Sequence, residues 1–212
     1  LLDHLKKYKK KEITFWDIGC ANGALIFFLK KKFPNWNFIG SDIKRSLVDK
    51  SKKKTGEKII YDNIEKKNKI LKAKILHAAG VHSCFDDIKN FLHNMIERTE
   101  KQGEIYIHGS FNINPVDTLI RYRDCTKKNF FSDSIDQTGW NNFSKATVSK
   151  ILNKNKKVSK FKFFLIKFPN SIKAKKTKDP LRSWTINYKK ENYFINSLNI
   201  LQHQHILKIW TK

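Results

Sequence analysis

Cysteine is scarce in this 212-residue chain, and its distribution excludes two kinds of site. The three cysteines, Cys20, Cys84 and Cys125, are far apart in the sequence and form no Cys-x-x-Cys pair. An odd number of isolated thiols supports neither a disulfide framework nor a zinc centre built on paired cysteines. We therefore expect no bound metal, and a reducing cytoplasm as the location of the protein.

Long apolar runs are also missing. The longest uninterrupted run, Ala24–Leu29, has six residues, whereas a helix that spans a bilayer needs about 20. We therefore expect no membrane span. Hydrophobic residues still make up 40% of the chain and aromatic residues 13%, which excludes general disorder. The length suits a single α/β domain over residues 1–212, with room for insertions but not for a second full domain.

Arginine is rare although the chain is strongly basic. The formal charge is +25 at pH 7, but only five of the 44 basic residues are arginine. Lysine is a point charge on a flexible stem, whereas proteins that read nucleic acids rely on the planar fork of arginine. The lysines form clusters along the whole chain, for example Lys6–Lys11, Lys50–Lys54 and Lys154–Lys160. This pattern favours a solvated surface, with nucleic acid as the less favoured partner.

The first 42 residues contain the pattern on which the functional prediction depends. Ile13–Ile18 is apolar and rich in β-branched and aromatic residues, which predicts a buried strand. A glycine turn follows, and Ala24–Lys32 then predicts a helix. Asn37–Ser41 predicts a second strand that ends on Asp42, 19 residues after the last glycine of the turn. Strand, glycine turn, helix, strand and acid together indicate a nucleotide-binding βαβ unit.

The glycine turn departs from a dinucleotide-binding fingerprint. That fingerprint reads Gly-x-Gly-x-x-Gly and places a pyrophosphate at the helix N-terminus. Here the order is Asp-x-Gly-x-Ala-x-Gly, and the turn begins with the carboxylate of Asp17. This carboxylate would repel a pyrophosphate but suits a ligand that carries an ammonium group. The alternatives are a dinucleotide site and a turn that binds nothing.

The segments DIGCANGAL and FIGSDI resemble motif I and the acidic loop of class I S-adenosylmethionine-dependent methyltransferases, with alanine in place of the usual middle glycine. The resemblance implies a Rossmann-like α/β fold, with a seven-stranded, mostly parallel sheet, an antiparallel last strand and helices on both faces. It implies S-adenosylmethionine as the cofactor, with Asp42 on its ribose and Asp62 or Asn63 on its adenine. The remaining cofactor contacts that it implies are Asp17, Gly19, Cys20, Ala21, Gly23, Ile43, Ala79 and Gly80.

The rest of the chain matches this fold by the order of its elements. After Asp42 we expect a helix ended by Gly56, and then further strands within Lys58–Tyr61, Lys74–Ala79, Gly103–Gly109, Phe161–Phe168 and His205–Trp210. We expect residues 110–160 and 169–186 to be insertions on the acceptor side. The second of these would form either a lid or a plain connection.

Ligands of open α/β sheets bind outside the carboxyl ends of the strands, so residues after the fourth and fifth strands should face the methyl acceptor. Family members that methylate exocyclic amines of nucleic-acid bases commonly carry an Asn/Asp-Pro-Pro-Tyr/Phe box, and this chain has no Pro-Pro pair. The resemblance therefore implies a small-molecule acceptor. We expect it to be contacted by Asn112, Asp117, Arg121, Arg123, Arg182 and Trp184. The alternative for the first four is a structural helix whose arginines pair with Asp117 and Asp124.

A hydroxyl acceptor has to lose a proton, which requires a base with a pKa near neutrality, and histidine suits this role. His82 follows the fourth strand and His108 lies in the fifth, and we rank His82 first. The alternatives are structural roles for both and attack by an unassisted nucleophile. The predicted function is O-methylation of a sugar or sugar-like hydroxyl. The alternatives are an RNA methyltransferase that uses the lysine-rich surface and a non-catalytic cofactor-binding module.

Overall fold

A computed structural model describes residues 1–66, 71–124, 137–168, 170–174 and 181–212. The strands are β1 (Thr14–Ile18), β2 (Asn37–Asp42), β3 (Lys58–Tyr61), β4 (Ala73–Ala79), β5 (Thr99–Ser110), β6 (Arg121–Tyr122), β7 (Gln137–Thr138), β8 (Val158–Leu165), β9 (Trp184–Tyr188), β10 (Glu191–Ile195) and β11 (Gln204–Thr211). The helices are α1 (Leu2–Leu5), α2 (Ala24–Lys32), α3 (Arg45–Thr55), α4 (Ile88–Glu97) and α5 (Lys145–Asn153). None of the helices in these ranges has the length and apolar character needed to cross a membrane.

Seven strands form one sheet in the order β3-β2-β1-β4-β5-β11-β8. β1 pairs in parallel with β2 and β4, and the parallel series continues outward to β3 and β5. β11, the last strand of the chain, is antiparallel to both β5 and β8. This topology confirms the predicted Rossmann-like sheet with an antiparallel last strand. The strand order reverses between β1 and β4, and ligands bind at such a switch point in open α/β sheets.

Helices cover both faces of the sheet because successive strand residues point to opposite sides. On one face, Phe15 of β1 lies in a core with Ile26 of α2. On the other face, Trp16 of β1 lies in a core with Phe91 of α4. Neighbouring residues of one strand therefore contribute to two separate cores, and the fold has three layers, α/β/α.

Two helix ends have the local chemistry that is typical of their residue types. Gly56 follows α3 with φ of 66°, and its N–H donates to the carbonyl of Lys52 at 2.9 Å. Such a left-handed residue after the last turn is the common way for a helix to end at glycine. At the start of α5, the hydroxyl of Ser144 accepts the N–H of Thr147 at 3.0 Å, which is an N-cap contact.

The strands after the fifth differ from their predicted bounds. β8 begins at Val158, three residues before the predicted start, because the polar Ser159 and Lys160 hide its beginning from a search for apolar runs. The chain between β8 and β11 also contains an unpredicted antiparallel hairpin of β9 and β10. The predicted lid at 169–186 lies partly outside the described residues, as does the central part of the predicted insertion at 110–160.

Candidate active site

The turn after β1 has the backbone conformation that its glycines predict. Gly19, Ala21 and Gly23 have positive φ values of 68°, 48° and 73°. A Cβ at Gly23 would lie 2.3 Å from Oγ of Ser51 on α3, so the close approach of turn and helix requires glycine there. Ala21 also adopts the left-handed conformation, although it has a side chain. It occupies the position where the family motif usually has its middle glycine.

Asp42 connects the end of β2 to this turn. One of its carboxylate oxygens accepts the N–H of Ala21 at 3.0 Å, and the other accepts the N–H of Lys44 at 2.9 Å. An ionised carboxylate has about four acceptor sites, so each oxygen keeps one for a further donor. The backbone therefore fixes the carboxylate and leaves it able to bind two hydroxyl groups.

A cavity of about 640 Å³, the larger cavity, opens beside Asp42 at the carboxyl ends of the first four strands. Its volume falls within the range of roughly 300–1,000 Å³ that is typical of small-ligand sites. Seven residues predicted to bind the cofactor line it: Gly19, Asp42, Ile43, Asp62, Asn63, Ala79 and Gly80. The fold thus brings the ends of β1–β4 to one cavity, although only the ends of β1 and β2 carry the sequence motifs of the resemblance.

The other predicted cofactor residues, Asp17, Cys20, Ala21 and Gly23, do not line the larger cavity. Asp17 is buried, and its carboxylate lies 2.8 Å from Nδ1 of His77 on β4. Cys20 is also buried, and burial raises the pKa of its thiol to about 11, so the thiol is protonated at neutral pH. The predicted contacts of these four residues with a cofactor stay predictions.

Asp62 has a buried partner at the edge of the larger cavity. Arg98, directly after α4, donates to both carboxylate oxygens of Asp62, and its guanidinium lies 5.3 Å from the ring centroid of Trp16. The side-chain oxygen of Asn63 accepts the N–H of Glu65 at 2.9 Å. Because both Asp62 and Asn63 line the cavity, both stay candidates for the predicted adenine contact.

Three aromatic side chains of the larger cavity had not been assigned to the site from the sequence: Phe85, Tyr122 and Trp140. Trp140 has φ of 61°, a left-handed conformation that bulky residues rarely adopt. Such strained residues cluster at ligand sites, where the surrounding structure holds them in place. The signal available in the sequence was the Gly-Trp pair on the acceptor side of the predicted sheet.

A second cavity of about 200 Å³, the smaller cavity, adjoins the larger one. Ala79, Gly80, Ser83 and Trp140 line both cavities and form a shared wall. From this wall the smaller cavity extends toward β5 and β11, where it is lined by polar residues that include His108, Ser110, Gln202 and Gln204. The two cavities are therefore adjacent at the shared wall.

The two histidines predicted as bases both line the smaller cavity but differ in exposure. His82 has no exposed surface: its ring stacks on Phe111 at 4.7 Å, and Nε2 donates to the carbonyl of Ser110 at 3.2 Å. His108 is partly exposed. Burial lowers the pKa of both imidazoles to about 4. Because a base must reach the proton that it removes, this placement favours His108, the reverse of the predicted ranking.

Asp117, predicted to contact the acceptor, makes contacts within the protein. Its carboxylate accepts the N–H of Ser144 at 2.6 Å and the hydroxyl of Thr147 at 2.7 Å. Both partners belong to the start of α5. This carboxylate therefore holds the helix start in place, which is a structural role.

The other predicted acceptor residues also lie outside both cavities. Arg121 donates to Asp86 at 2.6 Å, and the amide of Asn112 donates to the carbonyl of Val116 at 2.9 Å. The described lining of the two cavities contains none of the six predicted residues: Asn112, Asp117, Arg121, Arg123, Arg182 and Trp184. Within the described ranges, no group of three His, Cys, Asp or Glu side chains could hold a metal ion. The six acceptor contacts stay predictions, and sequence neighbours of Arg121 and Arg182 line the cavities instead.

Residues 16–105 match the family model of a methyltransferase domain. This segment begins within β1 and carries β2–β4 and the first part of β5, and with them the ends of β1–β4 that line the larger cavity. One curated relative, a tRNA (guanine-N(7)-)-methyltransferase from Synechococcus sp., is 56% identical over 32 residues. The match covers 15% of this chain and 14% of the relative, so most of the relative is not aligned with this chain.

Solved structures share the fold over most of the chain. A candidate methyltransferase from Bacillus halodurans has a TM-score of 0.57 and 12% identity, covering 100% of this chain and 98% of its own. The magnesium protoporphyrin IX methyltransferase of Synechocystis, crystallised with S-adenosylhomocysteine, has a TM-score of 0.53 and 12% identity, covering 95% of this chain and 75% of its own. At these identities the likeness is one of fold.

Proposed function

We propose that this chain is a class I methyltransferase and that it transfers a methyl group from S-adenosylmethionine to a hydroxyl of a small, sugar-like molecule. The observation that carries this proposal is the pair of adjoining cavities at the carboxyl ends of the central strands. The larger cavity has the position and size for the cofactor. The smaller cavity has the position for an acceptor, because it shares a wall with the larger one.

The chemistry of the larger cavity supports S-adenosylmethionine as its ligand. Asp42 is held by two backbone N–H groups and keeps acceptor sites for the two ribose hydroxyls. Asp62 and Asn63 lie at the end of β3, where an adenine amino group would find an acceptor. Gly19 and Gly80 add no side chains to the wall, so a ligand can approach the backbone closely there.

S-adenosylmethionine supplies a methyl group that is already activated by its sulfonium centre. The protein therefore has to align the acceptor with that methyl group and exclude water, and positioning alone can remove much of a barrier. In the shared wall, Ala79 and Gly80 are small enough for the two ligands to approach each other. Burial lowers the pKa of His108 to about 4, so its imidazole is unprotonated at neutral pH but is a weaker base than one with a pKa near neutrality. It can still accept the hydroxyl proton, because the acceptor oxygen becomes more acidic as it bonds to the methyl carbon.

Calorimetric titration with S-adenosylhomocysteine tests the cofactor assignment. Asp42→Ala removes the carboxylate that would accept hydrogen bonds from the ribose hydroxyls. A hydrogen bond to a charged group contributes about 1.5–3 kcal/mol, so the affinity for S-adenosylhomocysteine should fall at least tenfold. Asp49→Ala, at an exposed position of α3, is the matched control and should bind as the wild type does. Equal affinities of wild type and Asp42→Ala, or no binding to the wild type, would refute the assignment.

RNA is the second candidate acceptor, favoured by the charge of +25 and by the short match to a tRNA methyltransferase. Two of the five arginines are already engaged by carboxylates, Arg98 by Asp62 and Arg121 by Asp86. Lysine contacts with phosphates release counterions, so RNA affinity would fall steeply as salt rises. Methyl transfer to tRNA with such a salt dependence would establish RNA as the substrate, in place of a small molecule.

A further inference from the structure

The smaller cavity offers hydrogen bonds without formal charge. Its hydrogen-bonding side chains include His108, Ser183, Gln202 and Gln204, and its described lining contains no Lys, Arg, Asp or Glu. The imidazole of His108 is neutral at neutral pH, because burial lowers its pKa to about 4. An ionic group that entered this cavity would lose hydration without meeting a counter-charge from the described lining, which is strongly unfavourable.

Several polar atoms of this cavity have unused hydrogen-bonding capacity. The residues Gln202 and Gln204 are 7% and 9% exposed, and their side-chain amides make no hydrogen bond to another described residue, so they can bind a ligand or water. The buried hydroxyl of Ser110 also lacks a partner within the described part of the chain. A buried polar group without a partner destabilises the protein, so a ligand that gives the Ser110 hydroxyl a partner would offset that penalty.

The size and the apolar walls of the smaller cavity indicate the shape of the ligand. A cavity of roughly 150 Å³ holds one benzene ring, so about 200 Å³ accommodates a single ring with small substituents. Trp140 and Phe194 supply aromatic surface beside the polar side chains. Aromatic faces beside neutral donors and acceptors suit a ring with apolar faces and a polar rim.

We propose that the smaller cavity binds the acceptor as an uncharged single ring bearing hydroxyl groups, and that it excludes phosphorylated forms of the same ring. This inference rests on the proposed methyl transfer and specifies its substrate class. In the transfer, an acceptor oxygen bonds to the methyl carbon as the carbon–sulfur bond breaks, and the electron pair of that bond stays on sulfur. The hydroxyl proton passes to His108 and then to water.

The test pairs neutral rings with their phosphate esters. Purified protein is supplied with S-adenosylmethionine and a panel of monosaccharides, cyclitols and phenols, each with its phosphorylated counterpart, and S-adenosylhomocysteine production is measured. We expect kcat/KM for at least one neutral ring to exceed that for its phosphate ester at least tenfold. Transfer to none of the neutral rings, or preferred transfer to the esters, would overturn the inference.

A charge placed in the cavity sharpens the test. Gln204→Lys, and Ser183→Lys as a second variant should the first not fold, should raise the kcat/KM of the phosphate ester relative to the neutral ring. Asn187→Lys, at an exposed position of β9 outside the lining, is the control and should leave that ratio unchanged. An equal change in the control would also overturn the inference. Calorimetry with S-adenosylhomocysteine on the same preparations distinguishes failure of this inference from failure of the proposed function. A wild-type protein that does not bind the cofactor would refute the proposed function itself.

Discussion

Arg98 and Asp62 form a buried ion pair at the edge of the larger cavity, with side chains that are 4% and 3% exposed. Removing one member of such a pair leaves an uncompensated buried charge, which costs about 3–5 kcal/mol. We therefore expect Asp62→Ala to lower the free energy of unfolding by about this amount. Urea unfolding followed by circular dichroism measures the change.

Two further variants distinguish the effect of an unpaired buried charge on stability from the effect of losing a side chain. In the double variant of Asp62→Ala with Arg98→Met no unpaired charge remains, so part of the lost stability should return. Arg121→Ala breaks the pair with Asp86, whose side chains are 47% and 53% exposed, and should cost less than about 1 kcal/mol. Equal destabilisation by Asp62→Ala and Arg121→Ala would show that the buried pair has no special role.

His82 should make the protein sensitive to mild acid. Burial lowers the pKa of this imidazole to about 4 in the folded protein, against about 6.5 in an unfolded chain. Below the unfolded value the unfolded state binds the extra proton, so stability falls as the pH drops from about 6.5 to about 4. The difference corresponds to a loss on the order of 3 kcal/mol, complete near the lower pKa.

Urea unfolding at a series of pH values measures this dependence. His82→Phe keeps a ring that can stack on Phe111 but cannot be protonated, so its stability should fall less between those two pH values. His93→Phe removes an exposed imidazole of α4 and is the control. If both variants retained the full acid dependence of the wild type, His82 would not be its source.

Gly23 and Gly56 have nearly the same backbone conformation but different surroundings. Their φ values are 73° and 66°, yet a Cβ at Gly23 would lie 2.3 Å from Oγ of Ser51, whereas nothing lies within 4 Å of one at Gly56. Gly56→Ala should therefore cost only the left-handed strain of about 1–2 kcal/mol. Gly23→Ala adds overpacking of about 1–3 kcal/mol. Urea unfolding measures the loss of stability in each variant. Equal losses would show that α3 moves away from a Cβ at Gly23 without cost.

Part of the lining of the larger cavity could be predicted because local sequence determines its geometry. Turns that need left-handed residues favour glycine, so Gly19 and Gly23 mark the end of β1 directly. The fixed length of a helix and strand then places Asp42 beside that turn. The end of β4, Ala79 and Gly80, followed from the order of the strands alone, and both residues line the larger cavity.

The acceptor side could not be predicted in the same way, because it depends on contacts between distant segments. Nothing in the sequence near Asp117 shows that its carboxylate meets Ser144 at the start of α5, 27 positions later. The complete burial of His82 likewise follows from packing against Phe111, at the end of another strand. Polar residues were therefore predicted to face the acceptor by type, whereas the structure shows partners within the protein for the Asp117 carboxylate and the His82 ring.

The base can be identified by comparing His108 with His82. His108→Gln keeps a polar side chain but removes the proton acceptor, so turnover should fall by about 10²-fold while the affinity for S-adenosylhomocysteine stays unchanged. Since burial lowers the pKa of His108 to about 4, the wild-type rate should fall only as the pH drops toward that value and stay level near neutrality. His93→Gln is the control for the loss of an imidazole. If His82→Phe lowers turnover more than His108→Gln at equal cofactor affinity, the base is His82, as the sequence ranking predicts.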